Sequence, residues 1–268
     1  MPFITVNDVK LHYTDEGQGD ETIVFSHGLL FSGKMFEAQV AHFRDRYRVI
    51  TYDHRGQGKT EVAKDGYDMD TLASDAAALI KALDIGPVHF AGLSMGGFVG
   101  MRLAARQPHL LRSLTLLDTS ADPEPVENRG SYRKMNFVAR WFGLRMVIDK
   151  IMPILFGQTF LNDPMRTDQK SRWRNEIIHN HRIGITRAVT GVITRNGVID
   201  EIGSIATPTL VMVGEEDVAT VPEKAARIHE RIKGSRLVHI PRAGHSSSIE
   251  EPDFVNAEME KLLLQAGG

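Results

Sequence analysis

Val88-His89-Phe90-Ala91-Gly92-Leu93-Ser94-Met95-Gly96-Gly97 sets the fold class of this chain. An apolar strand runs into Gly-x-Ser-x-Gly and then straight into a helix, expected from Gly97 to about Arg106. So tight a turn strains the serine backbone, and small residues two positions to either side avoid clashes. It lifts the Ser94 hydroxyl above the sheet edge and aims the positive end of the helix at it. Nucleophilic attack on an acyl carbon is the common chemical use of that geometry. The pentapeptide alone fits an ordinary strand-to-helix turn equally well. A base, an acid and an oxyanion hole in the chain order Ser, Asp, His separate the two readings.

The base candidate is His245, in Ile240-Pro241-Arg242-Ala243-Gly244-His245-Ser246, on a loop after the strand-like run Leu237-Val238-His239-Ile240. An imidazole with an ordinary pKa of about 6.5 suits both accepting and returning a proton. His12, His89 and His239 lie within strand patterns, and His42, His109, His179, His181 and His229 lie in stretches without a partner motif. His27 and His54 sit in motifs but read as loop structure. The acid candidate is Asp217, after Val211-Met212-Val213-Gly214-Glu215-Glu216, where it would bond the far ring nitrogen of His245. Glu215, Glu216 and the strand-end Asp118 compete for that role. For the oxyanion, one backbone N–H comes from Met95. The other is expected from Leu29, in Ser26-His27-Gly28-Leu29 after the buried strand Thr22-Ile23-Val24-Phe25. The side chains of Leu29 and Met95 are expected to wall the pocket.

Ser26-His27-Gly28-Leu29, Tyr52-Asp53-His54-Arg55-Gly56-Gln57-Gly58, Gly92 to Gly97, Gly214-Glu215-Glu216-Asp217 and Gly244-His245 together resemble the α/β-hydrolase fold superfamily, over almost the whole chain. The resemblance implies an eight-stranded, mostly parallel sheet with helices on both faces. It also implies that Asp53 and Arg55 belong to a structural loop. A serine at the elbow speaks for acyl transfer to water and against the branches that carry aspartate there. Gly-Leu-Ser-Met-Gly-Gly is similar to the elbows of carboxylesterases and of 3-oxoadipate enol-lactonases, although Met35-Phe36 stands where the latter usually carry tryptophan.

Composition agrees. A chain of 268 residues at 42% hydrophobic can bury a large core, and a net charge of -2 gives no general attraction to nucleic acid or acidic membranes. Without cysteine there are no disulfides or thiolate nucleophiles, and no ligand spacing suggests a metal site. The N-terminus lacks the pattern of a signal peptide, and no apolar run is long enough to cross a membrane, so a cytoplasmic protein is expected.

Strand–helix alternation breaks between residues 121 and 205, an interval with four prolines and helix-like blocks but no convincing strand. The expected organisation is an α/β core of residues 1–120 and 206–268, with 121–205 inserted as a helical cap. Phe137, Trp141 and Phe142, then Met152, Ile154, Leu155 and Phe156, are expected on the underside of the cap, a few of them lining the pocket. Residues 121–200 hold ten Arg and three Lys against five Asp and three Glu. Most of these cations read as a solvated surface; a sharper expectation is that Arg133 or Arg140 turns inward to hold a substrate carboxylate.

The expected function is hydrolysis of a small or medium carboxylic ester or lactone through an acyl-enzyme, with no cofactor. An enol-lactonase-type lactone hydrolase is one alternative. A ligand receptor or signalling protein of the same fold with little turnover is another. A small molecule is the only partner expected; oligomeric state is open.

Overall fold

The computed structural model describes residues 2–267; Met1 and Gly268, the outer ends of the expected core segments, lie outside the described residues. Its elements are β1 (Phe3–Val6), β2 (Val9–Glu16), β3 (Thr22–Ser26), α1 (Glu37–Phe43), β4 (Arg48–Tyr52), α2 (Met69–Ala82), β5 (Val88–Leu93) and α3 (Met95–Arg106). There follow β6 (Leu111–Leu117), α4 (Val126–Phe142), α5 (Ile148–Leu155), α6 (Gln158–Asn162), α7 (Thr167–Ile178) and α8 (Arg182–Ile193). The chain closes with β7 (Thr209–Gly214), α9 (Pro222–Arg231), β8 (Arg236–Ile240), α10 (Ser247–Glu250) and α11 (Pro252–Ala266).

The strands form one eight-stranded sheet in the order β1-β2-β4-β3-β5-β6-β7-β8. The pairs β1/β2 and β2/β4 are antiparallel, and all other neighbours are parallel. Alternate side chains of the central strands feed opposite faces. Phe90, Leu114, Leu116, Val211 and Val213 pack with Leu72, Val99 and Ile228 of α2, α3 and α9. Ala91, Leu93, Leu117, Leu210 and Met212 pack with Phe43 of α1 and Val255 and Met259 of α11. Covering both faces is why these strands read as near-continuous apolar runs rather than alternating ones.

From β3 the chain crosses to β4 on one side, and from β5 to β6 on the other. This reversal opens a crevice beyond the C-terminal ends of β3 and β5, where open parallel sheets bind ligands. Between β6 and β7 the described residues form α4 to α8 and no strand. The Val198 N–H donates to the Ala121 carbonyl at 2.7 Å and draws the two ends of this segment together. Ile148, Ile151, Trp173 and Ile177 extend the second core into these helices without a break. No helix among the described residues is long and apolar enough to cross a membrane.

Candidate active site

Ser94 lies between β5 and α3 with φ 52° and ψ −109°, a conformation unfavourable for any residue with a side chain. Its neighbours hold it there. The Ser94 N–H donates to the Leu117 carbonyl at 2.8 Å, and the Thr119 hydroxyl donates to the Ser94 carbonyl at 2.8 Å. A Cβ on Gly92 would fall 2.2 Å from the Gly96 carbonyl oxygen, and one on Gly96 only 1.9 Å from that of Ser26. The elbow therefore closes only with glycine at both positions.

His245 Nε2 stands 2.8 Å from Ser94 Oγ, and His245 Nδ1 stands 2.9 Å from Asp217 Oδ2. With its proton on Nδ1, the ring donates to Asp217 and accepts from Ser94. The Asp217 carboxylate also accepts from the N–H groups of Ala219 (2.8 Å) and Thr220 (2.9 Å) and from the Thr220 hydroxyl (2.6 Å). Burial raises the Asp217 pKa, but the facing imidazole and these hydrogen bonds outweigh it and hold the carboxyl below its ordinary range. For His245 burial lowers the pKa and Asp217 outweighs that, leaving the imidazole above its ordinary value. The ring is thus both oriented and made a stronger base.

The competing acids face elsewhere. Glu215 is exposed, and Glu216 accepts from the Thr159 N–H at 2.8 Å. Asp118 is fully buried after β6, accepting from the Gly214 N–H at 2.8 Å and paired with the Ser247 hydroxyl. Burial and the nearby Asp217 charge push Asp118 well above the carboxylate range. His27 and His54 knit loops: the His54 N–H donates to His27 Nε2 at 2.9 Å, and His54 Nε2 lies 3.0 Å from Ser26 Oγ. Asp53 accepts from the Gly33 and Lys59 N–H groups, and Arg55 pairs with Asp75 inside the protein. Among the described residues no hydrogen bond uses the Leu29 or Met95 amide, and no group of three or more His, Asp or Glu is placed to hold a metal ion.

Ser94 and His245 open onto a cavity of about 140 Å³, walled mainly by apolar side chains including Leu29, Phe31, Met135, Val147, Ile151 and Ile185. Leu29 takes its expected place, but the Met95 side chain turns into the core on the other face of the sheet. The cap aromatics are also corrected. Phe137, Trp141 and Phe142 are 61%, 64% and 67% exposed, and neither Arg133 nor Arg140 lines the cavity. The reason is helical period. Tyr132, Met135, Asn136 and Ala139 share the face of α4 turned to the cavity, whereas Arg133, Phe137 and Arg140 border a separate outer groove with Lys64 and Arg187. Met152, Leu155 and Phe156 are buried as expected, and Ile154 and Leu155 line the cavity.

Sequence reading passed over Thr220 and Glu250. Asp217 with Thr220 three positions on is the spacing of a carboxylate that caps its own turn, so Thr220 was detectable. Glu250 is fully buried and accepts from the N–H groups of Gly157, Gly244 and Ser246 at 2.8, 3.0 and 3.0 Å. It brackets His245 and ties that loop to the segment between α5 and α6. Burial pushes its carboxyl up to about 7. Beside Glu251 and before Pro252, nothing local distinguishes it from a surface acid.

A family model described as the alpha/beta hydrolase fold matches residues 21–252. A putative carbamate hydrolase from Agrobacterium fabrum is 26% identical, covering 96% of this chain and 99% of its own. The crystal structure of an enol-lactonase from Burkholderia xenovorans superposes with a TM-score of 0.92 at 28% identity, covering 98% and 100%. A thermophilic esterase from Thermogutta terrifontis gives 0.91 at 29% identity, covering 99% of each chain.

Proposed function

Because this chain belongs to the alpha/beta hydrolase family, we propose that it is a serine hydrolase of small or medium carboxylic esters or lactones. The observation that carries the reading is the unbroken hydrogen-bonded line Asp217–His245–Ser94, which ends in an apolar cavity. Relatives named as an enol-lactonase and an esterase support it at the level of reaction class.

In this reading Ser94 Oγ attacks the acyl carbon while its proton passes to His245 Nε2. The negative charge developing on the carbonyl oxygen is met by the Leu29 and Met95 N–H groups. His245 then protonates the departing oxygen, and the acyl group stays on Ser94. Water, deprotonated by the same imidazole, attacks the acyl carbon and frees Ser94. Asp217 fixes the tautomer and stabilises the imidazolium formed in both halves. Residues 121–205 act as the cap that walls the acyl cavity and excludes bulk water.

An apolar cavity of about 150 Å³ holds a benzene ring. The acyl part that fits here is therefore short to medium. The test is steady-state hydrolysis of p-nitrophenyl acetate, butyrate and octanoate beside a lactone panel, with Ser94→Ala run in every assay. Multiple turnover that peaks near butyrate and vanishes in Ser94→Ala is expected. An unchanged rate in Ser94→Ala would overturn the mechanism, and binding without turnover would favour a receptor.

A further inference from the structure

The basic excess of residues 121–200 invites the idea that a cation awaits an anionic substrate. The cavity holds the opposite arrangement. Apart from His245, Arg195 and Glu124 are the only acidic or basic side chains among the residues lining it, and they bond to each other. Arg195 Nη1 lies 2.7 Å from Glu124 Oε2, with the two side chains 2% and 9% exposed. The same nitrogen donates to the Val192 carbonyl at 2.9 Å, and Nε donates to the Asp122 carbonyl at 3.2 Å. The guanidinium sits 4.3 Å from the centre of the Phe98 ring, one helical turn beyond Ser94. The remaining Glu124 oxygen accepts from Asn128 at 3.2 Å.

We propose that Glu124 sets the charge preference of the acyl cavity: by holding Arg195 in a closed pair against Phe98, it selects esters and lactones with uncharged acyl groups and rejects those bearing a carboxylate. The inference rests on the serine hydrolase reading above. A carboxylate entering this cavity loses its hydration and meets only a guanidinium already paired with Glu124. It also meets the negative charge of Glu124, which competes for the only guanidinium present. Burying a charge without a partner is strongly unfavourable, whereas an alkyl chain gains from the apolar wall.

The experiment compares kcat/KM for p-nitrophenyl valerate and mono-p-nitrophenyl glutarate, esters of equal acyl length that differ in a terminal carboxylate. The wild type is expected to favour valerate by about 100-fold or more, given the penalty for an unpaired buried charge. Glu124→Gln keeps the shape of the pair and leaves the Arg195 charge uncompensated, so the ratio is expected to move toward glutarate by about tenfold or more. In Glu124→Gln/Arg195→Gln the guanidinium is gone, and the ratio should return to the wild-type side.

A wild type that handles both esters alike or prefers glutarate overturns the proposal. So does a shift in the double variant equal to that in Glu124→Gln. If Glu124→Gln does not fold, inhibition of the wild type by butaneboronic acid against 3-carboxypropaneboronic acid reads the same preference. Equal potency, or stronger inhibition by the carboxylate, overturns it. Hydrolysis of neither ester, or of both in Ser94→Ala, marks failure of the serine hydrolase reading instead, and the proposal falls with it.

Discussion

The turns after β6 and β7 each carry a fully enclosed aspartate, and the protein uses the two in opposite ways. After β7, Asp217 is ringed by donors: the imidazole of His245, the Thr220 hydroxyl and two backbone N–H groups. After β6, Asp118 adopts a left-handed backbone (φ 46°) and meets only the Gly214 N–H and the Ser247 hydroxyl. Because a low-dielectric interior resists two neighbouring negative charges, the carboxyl with more donors is held below its ordinary range and the other is pushed well above it. Position at the end of a strand therefore does not assign the role. The donors that the loop supplies do.

Breaking the charged member should have the largest effect. Asp217→Asn is expected to lower kcat/KM about 10³- to 10⁴-fold, because an amide can hold the imidazole in the wrong tautomer. Asp217 also raises the His245 pKa, so in the wild type activity should fall as pH drops through a value above the ordinary histidine range. In Asp217→Asn that acid limb should move to lower pH. A pH profile of kcat/KM for both proteins checks the direction.

Glu250 comes next, since it grips the N–H groups on both sides of His245. Glu250→Gln turns an amide NH₂ toward at least one of these donors and should displace the imidazole, lowering kcat/KM about 10- to 100-fold. It should also leave a signature in stability. A carboxyl raised to about 7 in the folded protein binds its proton more tightly there than in the unfolded chain. It therefore contributes stability at pH below its unfolded value near 4.5, and that contribution is lost as pH rises toward 7. Chemical unfolding at pH 4.5, 6 and 7.5 should show this decline in the wild type and a flatter profile in Glu250→Gln.

Asp118→Asn sharpens the contrast by doing little. Asparagine tolerates a left-handed backbone, keeps an oxygen to accept from the Gly214 N–H, and presents its amide to the Ser247 hydroxyl without a charge. Activity should stay within about threefold and unfolding free energy within about 1 kcal/mol. A loss comparable to that of Asp217→Asn would mean that Asp118 is charged and engaged with His245. Trp141→Ala should change least, within about twofold on any neutral ester, because it removes an exposed ring from the outer face of α4.

Those outcomes also measure how legible the chain was. Ser94, Asp217 and His245 drew attention because each follows an apolar strand and a glycine-bearing turn, a local signal that survives in one dimension. Asp118 shares only the strand end, without the glycine-bearing turn, and the donors around each carboxyl separate the pair. On α4, the cavity-facing and outer residues differ by one position in sequence. Aromatic and cationic character pointed to Phe137, Trp141, Arg133 and Arg140, while the face turned to the cavity carries Tyr132, Met135, Asn136 and Ala139.

By itself the sequence determined the strand–helix alternation, the elbow and the break in that alternation between β6 and β7, while the eight-stranded sheet came from its resemblance to the α/β-hydrolase fold. The alternation, its break and the elbow follow from hydrophobic period and from backbone geometry that only glycine permits. Tertiary structure alone decided which aspartate faces His245, which face of α4 looks inward, and that Glu124 joins Arg195 across 71 residues while Glu250 joins Gly157 across 93. Charge, burial and hydrogen-bond partners at such separations depend on how layers pack, and no local pattern of side chains encodes that.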